Sequence, residues 1–248
     1  MSHDDCSEEQ KAPFTPTIIT MHITEIIKLL QFGDSMLPVG AFSFSNGLES
    51  AVQVGLVHDL ASLKDYTVSV LGQAAEVDGV ALLCAHRAAE SEATDEITAI
   101  DQALFNRKLN EEMRLMSTRM GRKLAELGGR VLKARQTTDW LDRIKQKETP
   151  GTFPIGQGIL FCDLGLDESA AFSVHQYGVA SMILGASIRL MRVDHLDTQR
   201  LLFEVNETAD LDYERVKDRE LKDMASYTPA LDILAGIHVK AHMRLFMN

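Results

Sequence analysis

From Ile23 to the end of the chain, apolar residues return every three or four positions, and no stretch shows sustained two-residue alternation between hairpin turns. That spacing lays one apolar stripe along a helix, whereas a half-buried strand needs every second residue. An all-α fold follows. Ile23, Ile26, Ile27 and Leu30 make one face of a first helix. Leu60, Leu63, Tyr66, Val70 and Leu71 make another, which Val77, Val80, Ala81, Leu83 and Cys84 carry on to about Ala89. Ile97, Ile100, Leu104 and Phe105 share a face, and so do Met113, Met116, Met120 and Leu124. Asp59, Thr94, Asn110, Asp167 and Asp194 stand where a side-chain oxygen can cap a helix N-terminus. Thr138-Asp139 begins a short helix with Trp140 and Ile144, Asp167 a long one to about Met191, and Pro229 a last one through Leu234, Ile237 and Met243.

Gly128-Gly129 reads as an end or a kink, and Pro150-Gly151 with Pro154 as a separator, so the longest breaks are expected near 33–46 and 148–157. The prediction is a single-domain helical bundle of about eight to ten helices over residues 21–248. A division near residue 150 is the alternative, without a flexible linker to support it. Residues 1–20 are polar, contain Pro13 and Pro16 and lack periodicity, and they read as a mobile N-terminal tail.

The break from Gln31 to Ser50 is unlike an ordinary surface connection. Pro38 fixes its own φ and turns Leu37 away from the helical region, while Gly40 and Gly47 permit angles that other residues avoid. The segment nevertheless carries Leu37, Val39, Phe42 and Phe44, an apolar load that something must cover. Asn46 is placed to cap the helix that follows, with Glu49 in its first turn.

Totals exclude several classes. The chain has 248 residues, 45% of them apolar and 25% charged, which belongs to a globular protein with a real core. A net charge of −11 argues against general nucleic-acid binding, since a phosphate-binding surface must supply many cations. Residues 107–147 depart from that balance, with twelve Lys and Arg against five Asp and Glu, a local net of +7. Such a run is either a solvated helical face or a field that steers an acidic partner. Cys6, Cys84 and Cys162 are too few and too scattered for a disulfide framework or a zinc cage, and a reducing cytoplasm is the expected compartment. The acidic opening with His3, Asp4, Asp5, Glu8 and Glu9 is the opposite of a signal peptide. Val174 to Met191 is broken by His175, Gln176, Ser181, Ser187 and Arg189, so it reads as a buried helix and no membrane partner is expected. Within it, Gly178, Ser181 and Gly185 form a smooth stripe, suited to intrachain packing or to a twofold-related subunit.

Motifs for chemistry are scarce. No Gly-x-Ser-x-Gly elbow, phosphate-binding Gly-x-x-x-x-Gly-Lys-Ser/Thr loop or dinucleotide fingerprint occurs. Ser35, Ser43 and Ser45 lack His and Asp partners and suit loop-locking hydroxyls. His238 and His242, four apart on one helical face, have the spacing of a metal-binding pair, though Val239 stands where a zincin places its Glu. Cys84 and His86 diverge by about 200° and cannot share an ion on an intact helix.

The loop resembles the urease accessory protein UreF family, whose pattern is met by Asp34, Ser35, Leu37, Pro38, Gly40, Phe42, Ser45, Gly47, Leu48 and Glu49. Further blocks resemble the family in order: Glu112-Met113-Arg114 with Ser117 and Gly121; Phe153-Pro154 with Gly158 and Leu164-Gly165; Gln199 to Leu202; and Pro229 to Ile233 leading to Arg244-Leu245-Phe246. Phe42 and Phe44 depart from it, since many members have Tyr and His there. The resemblance implies an all-α homodimer, a non-catalytic chaperone without a cofactor of its own. It would bridge the accessory protein UreD and the GTPase UreG so that nickel enters apo-urease, nickel and GTP being handled by the complex. Asp34, Ser35, Pro38, Gly40, Phe42, Ser45, Gly47, Glu49, Arg244, Leu245 and Phe246 are then the expected partner-binding residues. A helical metal-dependent hydrolase using His238 and His242 is the rival reading.

Overall fold

The structure, a computed structural model, describes residues 21–226, 233–234 and 245–246. The expected tail over 1–20 lies outside the described residues, as does most of the helix expected from Pro229. Ten α-helices run through the described part, with Leu60–Glu90 counted as one, and there is no strand among the described residues. They are α1 (Ile23–Gly33), α2 (Leu48–Gln53), α3 (Leu60–Glu90), α4 (Thr94–Arg107), α5 (Glu111–Val131), α6 (Arg135–Lys145), α7 (Phe153–Asp163), α8 (Glu168–Leu190), α9 (His195–Asn206) and α10 (Ala209–Val216). The all-α single-domain reading holds.

Several starts fall where the caps were expected. Asp59 accepts from Ser62 N at 2.8 Å, Asn110 from Met113 N at 2.8 Å, and Asp167 from Ala170 N at 2.8 Å, each satisfying an amide that the helix itself leaves open. Asp194 does the same for Leu196 and Asp197. Thr94 is instead the first helical residue, and α6 begins at Arg135, three residues before Thr138. Helix α3 is continuous but widens into one π-turn over Ala75–Gly79.

The largest revision is α7, which occupies a region read as a break. Pro154 stands in its first turn, where a missing N–H costs nothing because those amides have no intrahelical acceptor. Ile155, Ile159, Leu160 and Phe161 are all buried, so the helix is apolar on every side and carries no amphipathic signature. Its glycines are contact points: a Cβ on Gly158 would stand 2.7 Å from the Leu82 carbonyl oxygen of α3. Gly128-Gly129 likewise ends nothing, since α5 runs on to Val131. Helix α10 was not anticipated either; only Val216 and Asp212 are buried in a helix otherwise spaced with charge.

α7 sits at the centre of one core, packed by α3, α5, α6 and α8, while the C-terminal half of α8 builds a second core with α2, α3 and α9. The spine is therefore α8, the run read from sequence as a buried helix. Helix α3 is long and apolar enough to cross a membrane by length and composition alone, yet 72% of its most apolar window is buried inside the protein.

Candidate functional site

The break after α1 folds into an exposed rim and a buried root. Asp34 ends α1 and accepts from Met36 N at 2.8 Å; it is exposed with Ser35 and Pro38. Gly40, at φ 88°, swings the chain into a 3-10 turn over Ala41–Ser43, and this turn carries Phe42 with 75% of its surface in solvent. Beyond it Phe44, Ser45, Leu48 and Glu49 are buried. Asn46 does not cap α2, as the sequence suggested. It adopts a left-handed conformation (φ 53°), Gly47 takes the N-cap position at φ 79°, and the Asn46 carbonyl accepts from Tyr66 Oη at 2.7 Å. Burial raises the Tyr66 phenol above its ordinary pKa, so it stays a donor.

Glu49 is only 2% exposed, and its carboxylate turns toward the far end of the chain. Oε1 accepts from Leu245 N at 2.8 Å and Oε2 from Phe246 N at 3.1 Å, so one carboxylate holds two successive amides almost two hundred residues away. Ser45 Oγ receives Glu49 N at 3.4 Å and locks the root, as a loop hydroxyl would. The Phe246 ring is buried in the second core, whereas Leu245 is exposed.

Arg189, near the end of α8, completes the junction. Its guanidinium lies 4.0 Å from the centroid of the Phe246 ring and donates through Nη2 to the Phe42 carbonyl at 3.0 Å. Loop and tail are thus held by the same two side chains. Phe42, Ser45, Gly47, Glu49, Leu245 and Phe246 come together here, while Arg244, His238 and His242 lie outside the described residues. Arg189 was noted in the sequence only as a charge interrupting an apolar run; that interruption was the available signal.

Behind the loop lies a groove of about 400 Å³. The stripe of Gly178, Ser181 and Gly185 forms part of its wall, and a Cβ on Gly178 or Gly185 would meet none of the described residues within 4 Å. The basic stretch is partly neutralised within the chain: Lys108 pairs with Asp78 at 2.6 Å, Arg135 with Glu92, Arg143 with Asp95, and Arg122 and Lys123 share Glu126. Among the described residues no group of three or more His, Cys, Asp or Glu is placed to hold a metal ion.

The family model described as UreF matches residues 57–206, and the urease accessory protein UreF 2 of Brucella canis is 53% identical over 223 residues, spanning 90% of this chain and 92% of the relative. The chain belongs to the UreF family of urease accessory proteins. A urease accessory protein UreF of Yersinia pseudotuberculosis is 48% identical over 228 residues, 92% of this chain and 100% of the relative. Family membership makes urease maturation the process in which this UreF protein acts. The matched segment 57–206 contains Arg189 but neither the loop nor the tail that Arg189 joins.

Proposed function

We propose that this UreF-family chain is a non-catalytic adaptor that bridges UreD and the GTPase UreG in the cytoplasm, as a homodimer, so that nickel is inserted into apo-urease. Its contribution to the process is differential affinity: it favours a state of the GTPase whose nucleotide cycle gates metal transfer, and GTP and nickel are handled by the assembled complex. The observation that carries this reading is the junction at Glu49 and Arg189, where the loop and the C-terminal residues form one structure with Phe42 and Leu245 left facing solvent. An exposed aromatic braced by a buried anchor is the kind of residue that dominates interface energy. Ile23, Ile26, Ile27 and Leu30 add to this: their stripe on α1 is exposed, and an exposed apolar helix face is suited to a protein partner.

The test is co-purification with UreD-like and UreG-like chains from the same organism, with and without GTP and nickel, followed by titration calorimetry. Phe42→Ala is expected to keep its helical circular dichroism and lose about 2 kcal/mol of partner affinity, roughly thirtyfold. Unchanged affinity would move the interface away from the loop. A cooperative loss of helix at much lower temperature would show that Phe42 serves folding instead.

A further inference from the structure

The groove behind the loop has a polar feature that the urease reading leaves unused. His175, on α8, is 4% exposed and lines it. Its Nδ1 lies 2.8 Å from Gln157 Oε1, which places the ring proton on Nδ1 and leaves Nε2 as an acceptor. No hydrogen-bond donor among the described residues reaches that Nε2, nor does Ser181 Oγ, farther along the same wall, have a partner. Buried polar atoms are normally paired, and a buried unpaired acceptor loses about 1–3 kcal/mol of solvation. Burial drives the His175 pKa down to about 4, so near neutral pH the imidazole offers a lone pair and no charge.

The walls define what could bring the missing donor. Met113, Met116, Met120 and Met182 line the groove together with Val77 and Val174. Thioether walls are polarizable and make favourable contacts with aromatic rings. The cations in the lining are already engaged within the chain: Lys108 pairs with Asp78 at 2.6 Å, Arg107 donates to the Met224 carbonyl and Arg189 to the Phe42 carbonyl, while Asp34 stands at the exposed rim, so none of them calls for a charged guest. About 400 Å³ lies within the range of small-molecule sites. We propose that this groove binds a neutral, largely apolar small molecule of the phenol or indole class, whose ring packs on the methionines and whose single O–H or N–H donates to His175 Nε2 after a small shift of the lining uncovers that atom, which has almost no solvent-exposed surface in the unliganded chain. Gly178 and Gly185 keep the α8 wall low enough to admit it.

The inference is independent of urease maturation, because its test involves no second protein. Titrate the full chain with 4-propylphenol and with propylbenzene, a matched probe without the donor, by calorimetry and saturation-transfer NMR. One site per chain is expected, with the phenol favoured by about 3- to 10-fold, the worth of one hydrogen bond. His175→Phe should erase that preference, and Gly178→Leu, whose Cβ meets none of the described residues within 4 Å, should fill the groove and abolish binding of both probes. Equal affinity of the two probes for the parent, no saturable binding, or undiminished binding by Gly178→Leu would each overturn the proposal. Should His175→Phe fail to fold, the parent's preference and the Gly178→Leu result still decide. A change in light-scattering mass with Gly178→Leu would mean that the groove seats a second copy of the chain, and it too would overturn the small-molecule assignment.

Discussion

Asp101 is fully buried, and its carboxylate accepts four hydrogen bonds: from Thr149 Oγ1 and Thr152 Oγ1 at 2.6 Å, from Gly151 N at 2.8 Å and from Thr152 N at 3.0 Å. These four bonds pin the turn that launches α7. Asp101→Ala strands four donors at once, so urea denaturation should show a loss of about 3 kcal/mol or more. A loss under about 1 kcal/mol would mean that water takes the carboxylate's place. His175 gives a pH signature. Its folded pKa of about 4 lies below the unfolded value of 6.5, so as pH falls the unfolded chain takes up the proton first. Stability from this group is therefore full above pH 6.5, declines between 6.5 and about 4, and is flat below. The loss amounts to about 3 kcal/mol. Burial sets the direction, with Asp78 opposing it and Lys108 adding to it. Denaturation series at pH 7 and pH 4 should show that extra loss in the parent and not in His175→Phe; identical slopes would refute it.

At the scale of elements, legibility followed amphipathicity and caps. Helices with an apolar stripe and an Asp or Asn in front of them, such as α3, α5, α8 and α9, were read to within a residue or two at their starts. Helix α7 was missed because Pro154, Gly156 and Gly158 look like breakers, and its wholly apolar surface has no periodicity to detect. Proline is harmless in a first turn, and these glycines exist for neighbours that the sequence does not show. Gly158→Ala should therefore destabilise, not stabilise as a helix-propensity argument would have it. With a Cβ 2.7 Å from Leu82 O and 3.1 Å from His86 N, α3 and α7 must separate, at about 1–3 kcal/mol. Thermal melts would reveal it, and an unchanged or raised Tm would show that the two helices can shift freely. The stripe on α1 was read correctly as one face, but the structure turns it outward and buries Phe32 instead.

At the scale of the whole molecule, the junction of loop and tail is the feature on which the proposed adaptor role rests. Arg189→Ala removes both the cation over Phe246 and the donor to Phe42 O. The cores do not depend on it, so limited proteolysis should cut the C-terminal residues faster while global melting changes little; unchanged cleavage would show that Glu49 alone suffices. In cells, deleting the gene should leave urease polypeptide at normal levels with low nickel content and activity. Normal nickel loading in the deletion strain would refute the adaptor function.

Much of this protein was settled locally. Helical period, caps and the Gly- and Pro-bearing break depend on residues within a few positions of one another, and so does the loop pattern that carries the family resemblance. The sequence by itself therefore determined the all-α class, most helix starts, the buried α8 and the break in helix over residues 34–46. Tertiary structure alone decided that Glu49 faces Leu245 and Phe246, that Arg189 joins Phe42 to Phe246, and that Gly178, Gly185 and the buried His175 line one groove. Each of those outcomes depends on groups from separate elements. Periodicity says which way a side chain points from its own helix and nothing about what waits on the other side.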